Sequence, residues 1–172
     1  MQTSLIITIL GADRAGLVES ISKAVKNNHG NWQDSRMVKM SGQFAGLARI
    51  SISADQIEKL SQELLALQGD NLQILIKQSG NEDKAAVRET LSFELLGPDR
   101  SGIVHDITKQ LTALNVNIEK LESEQRTAPM SNEVLFYAEI TLGLPEGVTT
   151  EDVQDAFEKV SDSLMVDVSF SA

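Results

Sequence analysis

The strongest constraint on this chain is that it is written twice. Shifted by 86 residues, half of its 172, the segment Leu5–Val25 falls on Leu91–Leu111. Nine of these 21 aligned positions are identical: Leu5, Leu10, Gly11, Asp13, Arg14, Gly16, Val18, Ile21 and Lys23 match their counterparts. Unrelated segments would share about one or two. A fixed internal period means one folding unit used twice. The polar run from Gln78 to Lys84 has the composition of a linker. That places a first domain at residues 1–78, a linker at 79–87 and a second domain at 88–172.

Each unit reads β-α-β-β-α-β. Ser4 to Leu10 is rich in branched apolar residues and stops at Gly11, as a buried strand does. Asp13, or the residue beside it, is placed to cap a helix whose apolar positions Leu17, Val18, Ile21 and Val25 recur at spacings of three and four. In the second copy Ile103, Val104, Ile107, Leu111 and Leu114 repeat the stripe. His29-Gly30-Asn31 reads as a turn, and Trp32 to Met40 and Phe44 to Ile52 as strands joined at a Ser41-Gly42 hairpin. A second helix is expected after Asp55, with Glu58 completing a capping box and Ile57, Leu60, Leu64 and Leu67 on one face. Asn71 to Lys77 closes the unit as a strand. The second copy repeats the pattern with strands near 117–126 and 133–142, a helix from Thr149 or Thr150 carrying Val153, Phe157 and Val160, and a last strand at 165–170. Its hairpin, Thr127 to Asn132, is longer. The predicted fold is therefore α+β, two ferredoxin-like sandwiches in tandem.

Composition narrows the function. The absence of cysteine excludes a disulfide framework, a thiol nucleophile and thiolate metal sites. The apolar runs are far shorter than the ~20 residues that span a bilayer, so no membrane association is expected. The first residues lack the basic region of a signal peptide, which predicts a cytoplasmic protein. Charge is lopsided: residues 1–78 hold eight basic and seven acidic side chains, residues 79–172 seven and eighteen. A surface of that sign repels phosphate backbones, and the seven aromatics are scattered, so direct nucleic-acid binding is disfavoured. The acidic surplus fits either solubility or a basic partner. His29 and His105 have no companions at ligand spacing, so no metal is expected. No Gly-x-Ser-x-Gly elbow or phosphate-binding Gly-Lys-Ser/Thr ending occurs.

The candidate site is the repeated loop, Gly11-x-Asp13-Arg14-x-Gly16 and Gly97-x-Asp99-Arg100-x-Gly102, between a strand and a helix start. Glycines allow positive φ and close backbone approach, and the free N–H groups of a helix N-terminus attract an anion such as a carboxylate. An ammonium at the other end of the ligand needs oxygen acceptors, and Asp13, Asp99, Asn31 and Asn117 are available by type. A plainer assignment gives the same residues structural work: Asp as cap, Gly as turn, Arg as surface pair.

These loops, followed by Asn31-Trp32-Gln33-Asp34-Ser35 or Asn117-Ile118-Glu119 opening the next strand, resemble the ACT domain, a regulatory module that commonly binds amino acids. The resemblance covers both halves, and two tandem copies resemble the glycine cleavage system transcriptional repressor group. It implies a non-enzymatic regulator that acts, in response to glycine, on a separate DNA-binding activator protein. Carried over by position, it implies ligand contacts from Asp13, Arg14, Ala15, Gly16, Leu17 and Asn31 in copy one, and from Asp99, Arg100, Ser101, Gly102, Ile103 and Asn117 in copy two. Related modules hold ligands where two units meet. Pro98 in place of Ala12, and Ile118 in place of Trp32, predict that the two sites differ. Two alternatives stand beside this expectation: a ligand-independent interaction module, with homo-oligomers formed through sheet edges, and an acylphosphatase-like enzyme with Arg14 or Arg100 clamping phosphate.

Overall fold

The computed structural model describes residues 2–79 and 89–171. The chain divides into two compact units, Met1–Ala85 and Ala86–Ala172. Apart from Ser79, the expected linker lies outside the described residues.

The first unit runs β1 (Gln2–Ala12), α1 (Leu17–Asn27), β2 (Asn31–Met40), β3 (Gln43–Ser53), a short 3-10 turn (Ala54–Gln56), α2 (Ile57–Ala66) and β4 (Leu72–Ser79). The second runs β5 (Thr90–Pro98), α3 (Ile103–Ala113), β6 (Asn117–Thr127), β7 (Val134–Gly143), α4 (Thr150–Leu164) and β8 (Asp167–Ser171). Each forms a four-stranded sheet, ordered β2-β3-β1-β4 and β6-β7-β5-β8, with every neighbouring pair antiparallel. The ferredoxin-like expectation holds in both units.

Alternation along the strands sends one set of side chains under the helices. Leu5, Ile7 and Ile9 of β1 meet Ile21 and Val25 of α1 and Leu60 and Leu64 of α2 in a core that is almost wholly aliphatic. Trp32 and Phe44 pack at its margin. The second core is built around aromatic rings: Phe93, Phe157 and Phe170 stack with centroids 5.0, 5.4 and 6.4 Å apart. Val18 and Val104, on the predicted helix stripes, are exposed instead. They flank the buried line at Leu17 and Ile103 and face solvent beside the loops. Val160, predicted on the α4 stripe, lies outside the described side chains.

The hairpin at Ser41-Gly42 forms as expected, with φ of 48° and 79°. A register shift recurs at Trp32/Asp34 and Ile118/Lys120, so even the irregularity of the sheet is duplicated. The capping box expected at Asp55 and Glu58 does not form. Ser53 donates its hydroxyl to the Asp55 carboxylate, which nucleates the 3-10 turn and starts α2 without a side-chain cap. The box is found at α4: the Asp152 amide donates to the Thr149 hydroxyl at 3.2 Å, and the Thr149 amide donates to the Asp152 carboxylate at 2.8 Å. Those Thr149 donors hold the Asp152 carboxyl below its ordinary value.

Candidate functional site

Each loop connects the end of a central strand to a helix, and its two glycines do different jobs. A side chain at Gly97 would stand 2.7 Å from Val166 Cγ1 and 2.8 Å from the Met165 carbonyl, and one at Gly11 would strike the Asn71 carbonyl. These glycines let the neighbouring strand pass close by. Gly16 and Gly102 have open space around them but sit at φ 82° and 85°, the left-handed region that disfavours side chains.

Those left-handed residues are the N-caps of α1 and α3, and neither helix receives a side-chain cap. The first intrahelical bonds run from Ser20 N–H to Gly16 O at 2.9 Å and from Asp106 N–H to Gly102 O at 3.0 Å. The preceding amides lack acceptors within the helix and lie at the positive end of its dipole, with the Ile103 N–H turned back to Arg100 O at 3.4 Å. This corrects the expected role of Asp13 and Asp99. Neither caps its helix; each reaches sideways to the end of the edge strand two places over in the sheet. Asp13 forms an ion pair with Lys39 of β2, and Asp99 accepts a hydrogen bond from Gln125 Nε2 of β6 at 2.6 Å. Lys39 and Gln125 are themselves equivalent positions of the repeat. Their backbones are tied alike: Asp13 N–H donates to Gly42 O and Asp99 N–H to Val134 O, both at 3.0 Å.

The arginines differ too. Arg100 pairs with Asp106 at 2.8 Å. The residue equivalent to Asp106 is Ser20, whose hydroxyl turns back to Gly16 O, so Arg14 has no ion-pair partner among the described residues.

In the second unit the loop borders a surface hollow of about 410 Å³. Of the expected residues, Asp99, Arg100, Gly102 and Ile103 line it, while Ser101 and Asn117 do not. Six residues not expected at the site from the sequence join them: Val104, His105, Ser123, Glu124, Gln125 and Phe136. The antiparallel register could have found them, since it returns the far end of β6 and the start of β7 to the loop. Leu17 and Ile103 are almost fully buried, so neither offers a side chain to a ligand, and the Ile103 N–H already donates to Arg100 O at 3.4 Å. Ala15 and Ser101 are exposed. Asn31 and Asn117 begin β2 and β6, opposite Ser51 and Gly143, at the end of the sheet away from their own loops. Eight strand residues, about 27 Å, intervene. Within one unit the loop and the asparagine are not brought together.

Next to the hollow, Arg126 binds Glu124 at 2.6 Å and lies 3.2 Å from the centre of the Tyr137 ring. Partial burial, and the bond its hydroxyl donates to Glu139, push the Tyr137 phenol above its ordinary value. Glu124 is thus already neutralised, which leaves Asp99 as the carboxylate of the hollow without a cationic partner among the described residues. Among those residues no cluster of three or more His, Asp or Glu side chains is arranged to hold a metal ion, and no helix is long and apolar enough to cross a membrane.

Residues 3–78, a ferredoxin-like unit whose first strand delivers a glycine-initiated helix with no side-chain cap, match the model of the ACT domain. The second unit repeats its topology and its loop. The chain thus has a tandem ACT-like ferredoxin fold, and it resembles the glycine cleavage system transcriptional repressors. Those of Escherichia coli (strain K12) and Shigella flexneri are each 28% identical to it over 167 residues, covering 95% of this chain and 86% of theirs. The crystal structure of an unknown protein from Galdieria sulphuraria superposes with a TM-score of 0.86 at 28% identity, over 99% of this chain and 98% of that one. These likenesses support a regulatory role.

Proposed function

We propose that this chain is a non-enzymatic, amino-acid-responsive regulator that controls transcription of glycine cleavage genes by binding a separate DNA-binding activator, with glycine as its ligand. The observation that carries the proposal is the hollow of the second unit. Helix N-terminal amides supply the pole for a carboxylate, and Asp99, held by Gln125 and without a cationic partner among the described residues, supplies the pole for an ammonium. That pairing of opposite charges is what a free α-amino acid presents. The end-to-end match to the repressors supports the transcriptional part. Ligand must favour one of two states, partner-bound or free, to act as a signal.

An acylphosphatase-like activity has less support. Arg100 is engaged by Asp106, which leaves Arg14 as the one loop arginine without an ion-pair partner among the described residues.

Calorimetry with glycine, serine and alanine tests the first half. Millimolar or tighter binding of one of them, weakened at least tenfold in Asp99→Ala, is expected; silence across the three overturns it. Capture of DNA-binding proteins on the immobilised chain tests the second half, with recovery of an activator that changes when glycine is added. Recovery unaffected by glycine or by the loop variants would favour a ligand-independent interaction module.

A further inference from the structure

In each unit the helices cover one face of the sheet and leave the other open, and the two open faces have opposite characters. On the first, the register sets Arg36 beside Leu47, Thr8 and Leu75 in one cross-strand row, and Asp34, Arg49, Ile6 and Lys77 in the next. Leu47, on a central strand, and Leu75, midway along the edge strand β4, are 51% and 69% exposed. Three cations and one carboxylate surround them. On the second, Glu122, Glu139 and Glu94 stand directly opposite one another across β6, β7 and β5. Like charges so placed destabilise a sheet. Lys120 neutralises Glu122 at 2.9 Å, and Tyr137 donates to Glu139 at 2.8 Å; Glu94 has no cationic partner among the described residues. The adjoining row adds Glu124, Tyr137, Leu96 and Asp167. Five carboxylates here face two cations, Lys120 and Arg126.

We propose that the open sheet face of the first unit in one copy of the chain docks on the open sheet face of the second unit in another copy. Charge is complementary, and each face carries apolar side chains at its middle: Leu47 and Leu75 on one, Leu96 and Tyr137 on the other. The contact also removes the repulsion among the glutamates, because Arg36 and Lys77 supply the cations that the row lacks, while Arg49 is paired with Asp34 on its own face. Eight residues along and four strands across give a face of about 25 by 19 Å, roughly 500 Å². A single docking buries about 1,000 Å² over both partners, the lower limit for a specific interface, and a reciprocal pair about twice that. Reciprocal pairing is therefore the stable form, and the assembly is a dimer.

Sedimentation velocity on the full chain tests this without any variant. Dimers are expected at ~50 mM salt, with at least a tenfold weaker association at ~500 mM, where charges are screened within a few ångströms. A monomer at all concentrations and salts overturns the proposal, as does a dimer indifferent to salt. Two variants locate the surfaces: Arg36→Glu with Lys77→Glu, and Glu94→Lys with Glu139→Lys. All four positions are exposed, and circular dichroism confirms folding. Each variant alone should be monomeric, and the two mixed should associate, because each then meets a face of opposite sign. Dimers that persist in either variant alone, or a mixture that stays monomeric, would place the contact elsewhere.

Discussion

In the first loop Asp13 is held by a cation, Lys39, and Arg14 has no carboxylate partner among the described residues; in the second Asp99 is held by a neutral amide, Gln125, and Arg100 is spent on Asp106. The backbone beneath is the same in both, down to the φ of the cap glycine and the tie to the neighbouring hairpin. Duplication has thus kept the geometry that presents helix amides while changing the charge set around it. A loop with a spare guanidinium favours anions; one with a spare carboxylate accommodates a cation beside the amides. Shared geometry with divergent charge means that the two copies should answer alike to backbone changes and oppositely to charge changes.

The largest expected effect breaks the shared part. Gly97→Ala forces a methyl against the Met165 carbonyl and Gly11→Ala against that of Asn71, and backbone cannot swing away as a side chain can. Each should cost about 3 kcal/mol in chemical denaturation, in whichever unit carries it. Gly16→Ala and Gly102→Ala meet no atoms and suffer only the left-handed conformation, so about 1–2 kcal/mol each is expected. A loss at Gly102 as large as that at Gly97 would contradict this division of labour.

Exchanging the strand partners sharpens the divergent part. Gln125→Lys gives Asp99 the cation that Asp13 has, and should weaken amino-acid binding in the second hollow about tenfold, roughly 1.4 kcal/mol. Lys39→Gln should move the first loop the other way, raising its affinity for a zwitterion, as read by calorimetry. Equal responses in both units would mean that the charge difference is without consequence. The smallest effect concerns the second helix of each unit. Thr149→Ala removes the cap of α4 and should cost about 1 kcal/mol, whereas Ser53→Ala, which removes no cap, should cost less. Because the folded-state value of Asp152 is depressed, its contribution is complete above the ordinary carboxylate range and is lost as pH falls through the folded value. The acid side of the melting curve should accordingly be flatter in Asp152→Asn.

The order of elements was legible because apolar residues recur with clear periods and because each element of one half could be checked against its counterpart in the other. What stayed hidden is non-local. Asp13 in front of a helix has the pattern of a cap, and only the folded sheet brings Lys39 within its reach. Asp55 and Glu58 have capping-box spacing, but the Ser53 hydroxyl competes for the same carboxylate. Asn31 and Asn117 follow the loops in sequence yet lie a sheet length away. Conversely, Ser123, Glu124, Gln125 and Phe136 carry no motif and gain their place in the hollow from strand register alone.

The contrast between an aliphatic core edged by the chain's single tryptophan and a core of stacked phenylalanines has a practical consequence. Indole emission comes from Trp32, in the first unit, and from nowhere else in the chain. Melting followed at that wavelength reports the first half alone, while backbone ellipticity averages over both. Any gap between the two curves measures directly how far twin halves of one polypeptide have drifted into independent thermodynamic lives.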